Sequence, residues 1–115
     1  MTGHEAKISA TAQVGQGCSF GTNVVVMENA RIGAGCAFGH NVVVHAGTEL
    51  GAGVFVEDNA VLGRQPRPSP TSTVKIDEPL PGLVLGDGCS VGTGAVVYAG
   101  TCVGNQTMIA DQAFV

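Results

Sequence analysis

The sequence predicts an all-β solenoid of short parallel strands, and a repeat of six residues is the observation that predicts it. A large apolar residue occupies every sixth position in the first half of the chain: Ile8, Val14, Phe20, Val26, Ile32, Phe38, Val44, Leu50, Val56 and Leu62. The same phase resumes in the second half, at Leu85, Val91, Val97, Val103, Ile109 and Val115. This period matches neither the 3.6 residues of a helical turn nor the two-residue alternation of a simple strand.

Each repeat is interpreted as one short strand and one bend, with two inward side chains. The second inward position lies four residues after the apolar one and is also small or apolar, as at Cys18, Val24 and Ala30. Three repeats close one triangular coil, and successive coils stack about 4.8 Å apart. We therefore expect a single domain over residues 1–115 with about five coils. Glycine often follows the apolar residue, where we expect it to supply backbone conformations that other residues resist.

Composition and charge exclude several classes of function. The formal net charge of −4 argues against a nucleic-acid-binding surface. No apolar run approaches the ~18 residues of a membrane-spanning helix. The N-terminal segment MTGHEAKISA lacks the apolar core of a secretion signal, which predicts a cytoplasmic protein. The four cysteines form no Cys-x-x-Cys pair, and three of them fall on inward positions, so we expect reduced core residues.

A proline-rich insertion interrupts the repeat at about residues 64–84. Leu62 and Leu85 lie 23 positions apart, whereas a step of six would continue the repeat. All five prolines and three of the five basic residues lie here, Arg64 and Arg67 among them. A solvated surface loop is one interpretation. The other is an arm that reaches over a neighbouring subunit and frames a site, where its positive charge would suit a phosphate-bearing ligand.

Two histidines, His40 and His45, lie close together in the segment FGHNVVVHAG. Because three repeats make one coil, Asp58 is expected directly above His40 in the same column. A neutral imidazole at His40 could accept a proton from an attacking amine or hydroxyl group, and Asp58 would orient the ring. His45 has no comparable partner, so we expect a supporting or structural role for it.

The repeat, which covers nearly the whole chain, resembles the hexapeptide-repeat left-handed parallel β-helix. The resemblance implies the left-handed sense and a homotrimer with sites in the grooves between subunits. Within this family, the segment GCSFGTNVVV, the loop after VFVEDNAVLG and the segment LGDGCSVGTGAVVYAGTCVG are similar, in that order, to nucleotide-sugar N-acetyltransferases. This similarity implies transfer of an acetyl group from acetyl-CoA to an amino or hydroxyl group of a sugar, in particular of a nucleotide-linked sugar.

The resemblance also implies roles for individual residues. FGHN resembles the segment of lipid A acyltransferases whose histidine is the general base, which assigns that role to His40. Asn23 matches the asparagine that helps to position the sugar amine, and some related enzymes use no side-chain base, so Asn23 with ordered water is the other route. The assignment of Arg64 and Arg67 to CoA binding rests instead on the positive charge of the insertion, which suits the phosphates of CoA. The segment VGTGAVVYAG matches the one that lies along the pantetheine arm, which assigns to cofactor binding Gly92, Thr93, Gly94, Ala99 and Gly100.

Two other functions stay open at this point. HNVVVH resembles the His-x4-His pair of γ-class carbonic anhydrases, but Met27 stands where that family has its third histidine, so no metal is expected. A non-catalytic solenoid scaffold, or a fragment of an enzyme, is the second alternative. Related acetyltransferases usually continue through further coils and a C-terminal helix, whereas this chain stops at the inward position Val115. We therefore expect either an excised fragment, with part of the acetyl-CoA site missing, or a partner that covers the end of the solenoid. The sugar and the choice between N- and O-transfer stay open.

Overall fold

The computed structural model describes residues 6–67 and 79–115, which form fifteen short strands. The strands are β1 (Ala6–Ile8), β2 (Gln13–Val14), β3 (Ser19–Phe20), β4 (Val24–Val26), β5 (Arg31–Ile32), β6 (Ala37–Phe38), β7 (Val43–Val44), β8 (Glu49–Leu50), β9 (Phe55–Val56), β10 (Val61–Arg64), β11 (Val84–Leu85), β12 (Ser90–Val91), β13 (Val96–Tyr98), β14 (Cys102–Val103) and β15 (Met108–Ile109). In the described ranges no helix is long and apolar enough to cross a membrane.

Three parallel sheets of five strands each form the three faces of the solenoid. Face A contains β1, β4, β7, β10 and β13; face B contains β2, β5, β8, β11 and β14; face C contains β3, β6, β9, β12 and β15. Strands that pair before the insertion are offset by one coil, as the pairing of Val25 with Val43 and of Phe20 with Phe38 shows. The predicted fold class, a left-handed parallel β-helix of about five coils, is confirmed.

The inward positions of the repeat form the core. Both predicted inward columns are buried through the middle coils, and Phe20 stacks on Phe38 with ring centroids 5.0 Å apart. Cys36 and Cys89 are buried and Cys18 is half-buried, and all four cysteines are free thiols. The Cys36 thiol donates to the Gly51 carbonyl oxygen at 3.2 Å. The three inward cysteines therefore lie in the core or, in the case of Cys18, pack against it.

The insertion leaves the register of the solenoid unchanged. Leu85 pairs with Leu50, so the first strand after the insertion continues the column that the repeat predicts for it. The chain leaves face A through a β-bulge at Gly63, and it re-enters with Leu83 fully buried. The Gln65 side chain closes the base of the loop, because its amide donates to the Leu80 carbonyl oxygen at 2.9 Å and accepts the Leu80 N–H at 3.0 Å. The predicted extended arm lies in part at residues 68–78, outside the described residues.

The expected reason for the glycines after the apolar residues is wrong. Apart from Gly63 these glycines do not have positive φ angles; positive φ occurs instead two residues after each of them, as at Gly35, where φ is 73°. Gly39 is required for space, because a Cβ there would collide with the Asp58 carboxylate and lie 2.9 Å from the Asp58 backbone nitrogen. Close stacking of one corner on the next therefore excludes a side chain at this position.

Alanine substitutions at Gly39 and Gly35 separate crowding from backbone conformation. Gly39→Ala should lower the free energy of unfolding by about 3 kcal/mol or more, because backbone atoms of the next coil must move. Gly35→Ala should cost about 1–2 kcal/mol, since a Cβ there meets open space and only the left-handed conformation is unfavourable. Denaturant unfolding of both variants measures the difference, and equal costs would contradict the crowding argument.

Candidate functional site

Polar side chains link successive coils at the corner between faces C and A. The Thr22 N–H donates to His40 Nδ1 at 2.7 Å, and the His40 N–H donates to Asp58 Oδ1 at 2.7 Å. Further along the same corner, the Thr93 N–H donates to Asp111 Oδ1 at 2.9 Å. We call this column of acceptors the corner ladder. His40 and Asp58 are therefore two of its rungs.

The corner between faces B and C has the same arrangement without a histidine. There the Ala52 N–H donates to Asp87 Oδ1 and the Asp87 N–H donates to Asn105 Oδ1, both at 2.9 Å. At this corner the side chain of aspartate or asparagine accepts a backbone N–H of the neighbouring coil, as His40 does at the corner between faces C and A. A ladder role alone accounts for an acceptor side chain at the position of His40.

The geometry corrects the expected contact between Asp58 and the His40 ring. The carboxylate accepts the backbone N–H of His40, and no hydrogen bond among the described residues joins it to the imidazole. Because Nδ1 accepts the Thr22 N–H, the neutral ring carries its proton on Nε2. To accept a proton at Nε2, the ring would first have to change tautomer and release Thr22.

Asn23 lies at the same corner and is exposed, and its backbone has a φ of 61°. Asn41 and Asn59, one and two coils later, have φ angles of 60° and 63°. Asparagine tolerates the left-handed conformation better than most residues do, so the corner itself explains the recurrence. The predicted contact of Asn23 with a sugar amine stays a prediction.

The five residues assigned to the pantetheine arm lie at two different corners. Gly92, Thr93 and Gly94 lie at the corner between faces C and A, where a surface pocket of about 310 Å³ is lined by Gly92, Glu57 and Met108 among others. Ala99 and Gly100 lie at the corner between faces A and B, beside the base of the loop. They do not form one continuous groove within a chain.

The backbone N–H groups of these five residues already have acceptors. Gly92 donates to the Ile109 carbonyl oxygen at 2.7 Å, and Gly94 donates to that of Asp58 at 2.9 Å. Ala99 donates to the Arg64 carbonyl oxygen at 2.9 Å, and Gly100 to that of Pro81 at 2.7 Å. Thr93 donates to Asp111, as described above. None of the five therefore offers an unused N–H to a thioester oxygen.

A second group of polar residues meets at the base of the loop. His45, Arg64, Gln65, Pro66 and Arg67 line an open pocket of about 390 Å³, which we call the arginine pocket. Both arginines are exposed and His45 is half-buried. Burial, and after it the positive charge of Arg64, lowers the pKa of His45 from its ordinary value of 6.5. The imidazole is therefore neutral at pH 7.

The position of His45 explains why it belongs to this pocket. It follows β7, and its N–H donates to the Leu62 carbonyl oxygen at 2.8 Å, so it lies beside Gly63 where the loop departs. A Cβ on Gly63 would collide with the buried Thr48 hydroxyl group and lie 3.7 Å from the His45 Cβ. His45 and Gly63 are one full coil apart along the chain, and this spacing is the feature of the sequence that places His45 beside the start of the loop. Sequence reasoning missed it because the repeat does not specify the path of the loop after Gly63.

His40 and His45 do not converge within one chain. His40 precedes β7 at the corner between faces C and A, and His45 follows β7 at the corner between faces A and B, so β7 separates them. Two zinc-ligating nitrogens would each lie about 2 Å from the metal. In the part of the chain that the structure describes, no group of three or more His, Cys, Asp or Glu residues could hold a metal ion.

Replacement of His45 by glutamine should change how stability depends on pH. The folded-state pKa of His45 lies below its unfolded value of 6.5, so the unfolded chain binds the proton more readily. The wild type should therefore lose stability relative to His45→Gln as the pH falls from 6.5 towards the lowered pKa. Melting temperatures of both proteins between pH 8 and pH 5 measure this effect. Parallel curves would show that His45 is not perturbed.

Sequence profiles of hexapeptide repeats match most of the chain. The profile described as bacterial transferase hexapeptide (six repeats) matches residues 11–46 and 29–64. The profile described as hexapeptide repeat of succinyl-transferase matches residues 74–99. No curated protein is similar enough in sequence to be matched.

Several solved structures share the fold. A histidine-to-asparagine mutant of perosamine N-acetyltransferase from Caulobacter crescentus, in complex with CoA and GDP-perosamine, is 22% identical with a TM-score of 0.59, over 96% of this chain and 47% of that one. The corresponding histidine-to-alanine mutant is 24% identical with a TM-score of 0.58, at the same coverage. An aspartate-to-alanine mutant of AntD, an N-acyltransferase from Bacillus cereus in complex with dTDP and coenzyme A, is 12% identical with a TM-score of 0.63, over 95% of this chain and 70% of that one. The chain thus spans about half the length of the perosamine enzyme.

Proposed function

Because the chain belongs to the bacterial transferase hexapeptide family, we propose that it takes part in transfer of an acetyl group from acetyl-CoA to an amino or hydroxyl group of a nucleotide-linked sugar. The arginine pocket is the observation that carries this proposal. The solenoid does not need it, since the loop leaves the register unchanged and its arginines lie outside the core. Two guanidinium groups beside a neutral imidazole suit the phosphates of CoA or of a nucleotide.

The reaction requires little of the protein beyond positioning. The amine nitrogen or hydroxyl oxygen attacks the thioester carbon, a new C–N or C–O bond forms, and the C–S bond breaks. The nucleophile loses one proton and the departing thiolate gains one, so the exchange is balanced. The protein must therefore supply a group that accepts the proton of the nucleophile and a surface that orients both substrates.

Residue roles follow from the two corners. Arg64 and Arg67 hold phosphate groups, and the corner of Gly92, Thr93 and Gly94, where Gly92 lines the shallow pocket, takes the pantetheine arm. Of the two predicted routes for deprotonation, ordered water beside Asn23 leaves the corner ladder intact. The route through His40 requires loss of the bond from the Thr22 N–H.

A homotrimer would bring the two corners together. The outward column of face A is a row of half-buried valines, in which Val25 pairs with Val43, Val43 with Val61 and Val61 with Val96. The outward column of face B includes glutamine, arginine and glutamate, and that of face C includes serine and alanine beside the exposed Phe55 and Met108, so the continuous row of valines lies on face A. A three-fold contact along face A would place the loop corner of one subunit beside the ladder corner of the next.

The oligomeric state tests this arrangement. Sedimentation or light scattering should give a mass near three times the 11.5 kDa of the chain. Val43→Lys should lower the mass towards that of one subunit, because a charge would be buried at the contact. Val84→Lys, on face B, should leave the mass unchanged. A wild-type monomer at all concentrations, or dissociation by the face B variant alone, would contradict the arrangement.

Release of the CoA thiol in the presence of nucleotide-linked amino and hydroxy sugars tests the activity. Arg64→Ala and Arg67→Ala should raise the KM for acetyl-CoA, by a factor that shrinks at high salt.

Asn23→Gly keeps the left-handed corner and removes only the amide, so a loss of activity would support its role. His40→Asn keeps an acceptor on the ladder: a fall of about 10²–10⁴-fold would identify the ring as the base. No thiol release with any sugar would overturn the proposal.

A further inference from the structure

The arginine pocket combines two fixed positive charges with one titratable group. Arg64 and Arg67 are exposed at the mouth, whereas His45 is half-buried at the end of β7. The base of the loop is held in place, because Gln65 makes two hydrogen bonds with the backbone of Leu80. The backbone at the base of the loop is therefore fixed beside the pocket.

The surroundings of His45 set how its charge responds to a ligand. On β10 and the segment after it, the charged groups are Arg64 and Arg67. Glu28 lies at the corner one coil earlier, and Tyr98 lies on β13 opposite Arg64. β4, on the other side of β7, contributes three valines and no ionisable group. Among the charged groups of the described residues, Arg64 is the one that disfavours the imidazolium and so lowers the pKa of His45, after burial.

We propose that His45, Arg64 and Arg67 form one binding site for a diphosphate group, and that His45 takes up a proton when the diphosphate binds. The two guanidinium groups supply charge and paired N–H donors for phosphate oxygens. The diphosphate offsets the repulsion that Arg64 exerts on the imidazolium, and it places an anion beside the ring. Both changes favour the protonated ring, which then donates to the ligand as a third arm.

The proton enters from solvent and no covalent bond of the ligand changes. In the free protein the pKa of His45 is lowered; the bound anion raises it again. Between these two values, binding and protonation are linked, so the affinity rises as the pH falls. This inference rests on the proposed function in one respect: the molecule that carries the diphosphate is either CoA or the nucleotide-linked sugar.

Calorimetry with two diphosphate diesters tests the site and identifies which of the two molecules binds there. Dephospho-CoA represents the cofactor and UDP-glucose represents the nucleotide-linked sugar; neither has a phosphate group that titrates near neutral pH. Titrations in buffers of different ionisation enthalpy report the protons taken up. The ligand that belongs to the site should bind with net proton uptake near pH 6.5. Its affinity should be about three- to tenfold higher at pH 6 than at pH 8, because each unit of pKa difference corresponds to a factor of ten.

Three variants assign the effect to named groups. His45→Gln should remove both the proton uptake and the pH dependence, while the arginines still bind the ligand at pH 8. Arg64→Ala should weaken binding at every pH and reduce the uptake. Arg31→Ala removes an exposed arginine on face B and should change neither quantity. A melting curve of each variant shows that the fold is retained.

The results that overturn the inference differ from those that overturn the proposed function. Binding of neither diester, or proton uptake that persists in His45→Gln, would overturn the diphosphate site. Acetyl transfer without uptake that depends on His45 would leave the proposed activity standing and remove this inference. Proton uptake that depends on His45, without acetyl transfer to any sugar, would leave the diphosphate site standing and overturn the proposed activity.

Discussion

Parallel hydrogen bonding between coils is the constraint on which the rest of this structure depends. Each strand bonds to the strand one coil away, so every side chain has a fixed neighbour in the next coil. A coil cannot shift alone without breaking the bonds on both sides of it. Inward residues therefore stack in columns, as Phe20 and Phe38 do, and corner residues stack as well. Close contact between corners is what excludes a side chain from Gly39.

The same constraint decides how an insertion can be accommodated. Extra residues must leave and rejoin at one corner, because Leu85 has to pair with Leu50 for the upper coils to form. The bulge at Gly63 and the contacts between Gln65 and Leu80 are the local means by which this happens. Since both ends of the loop are tied to the solenoid, its first arginines are held beside His45. The arginine pocket thus arises at the corner where the repeat is interrupted.

Corners also determine which polar groups are available for chemistry. In the corner ladder, an acceptor side chain is used by an N–H of the coil before it, and His40 is used in this way. At the interrupted corner, His45 faces a pocket instead. Two histidines that look equivalent in FGHNVVVHAG therefore have different environments. One accepts a backbone N–H and so stabilises the stacking of coils, whereas the other lies beside two arginines in the arginine pocket.

The sequence by itself determined the repeat, the inward columns, the length of the insertion and the pairing of Asp58 with the column of His40. These follow from spacing alone, because a solenoid converts a separation of three repeats along the chain into contact. It could not decide which atoms of a column meet: Asp58 was expected at the ring of His40 and lies instead on its backbone N–H. Nor could it place Arg64 and Arg67, since a loop has no period to follow. Only the tertiary structure shows that the loop starts beside His45, because the bulge at Gly63 and the clamp on Leu80 depend on atoms that the repeat does not specify.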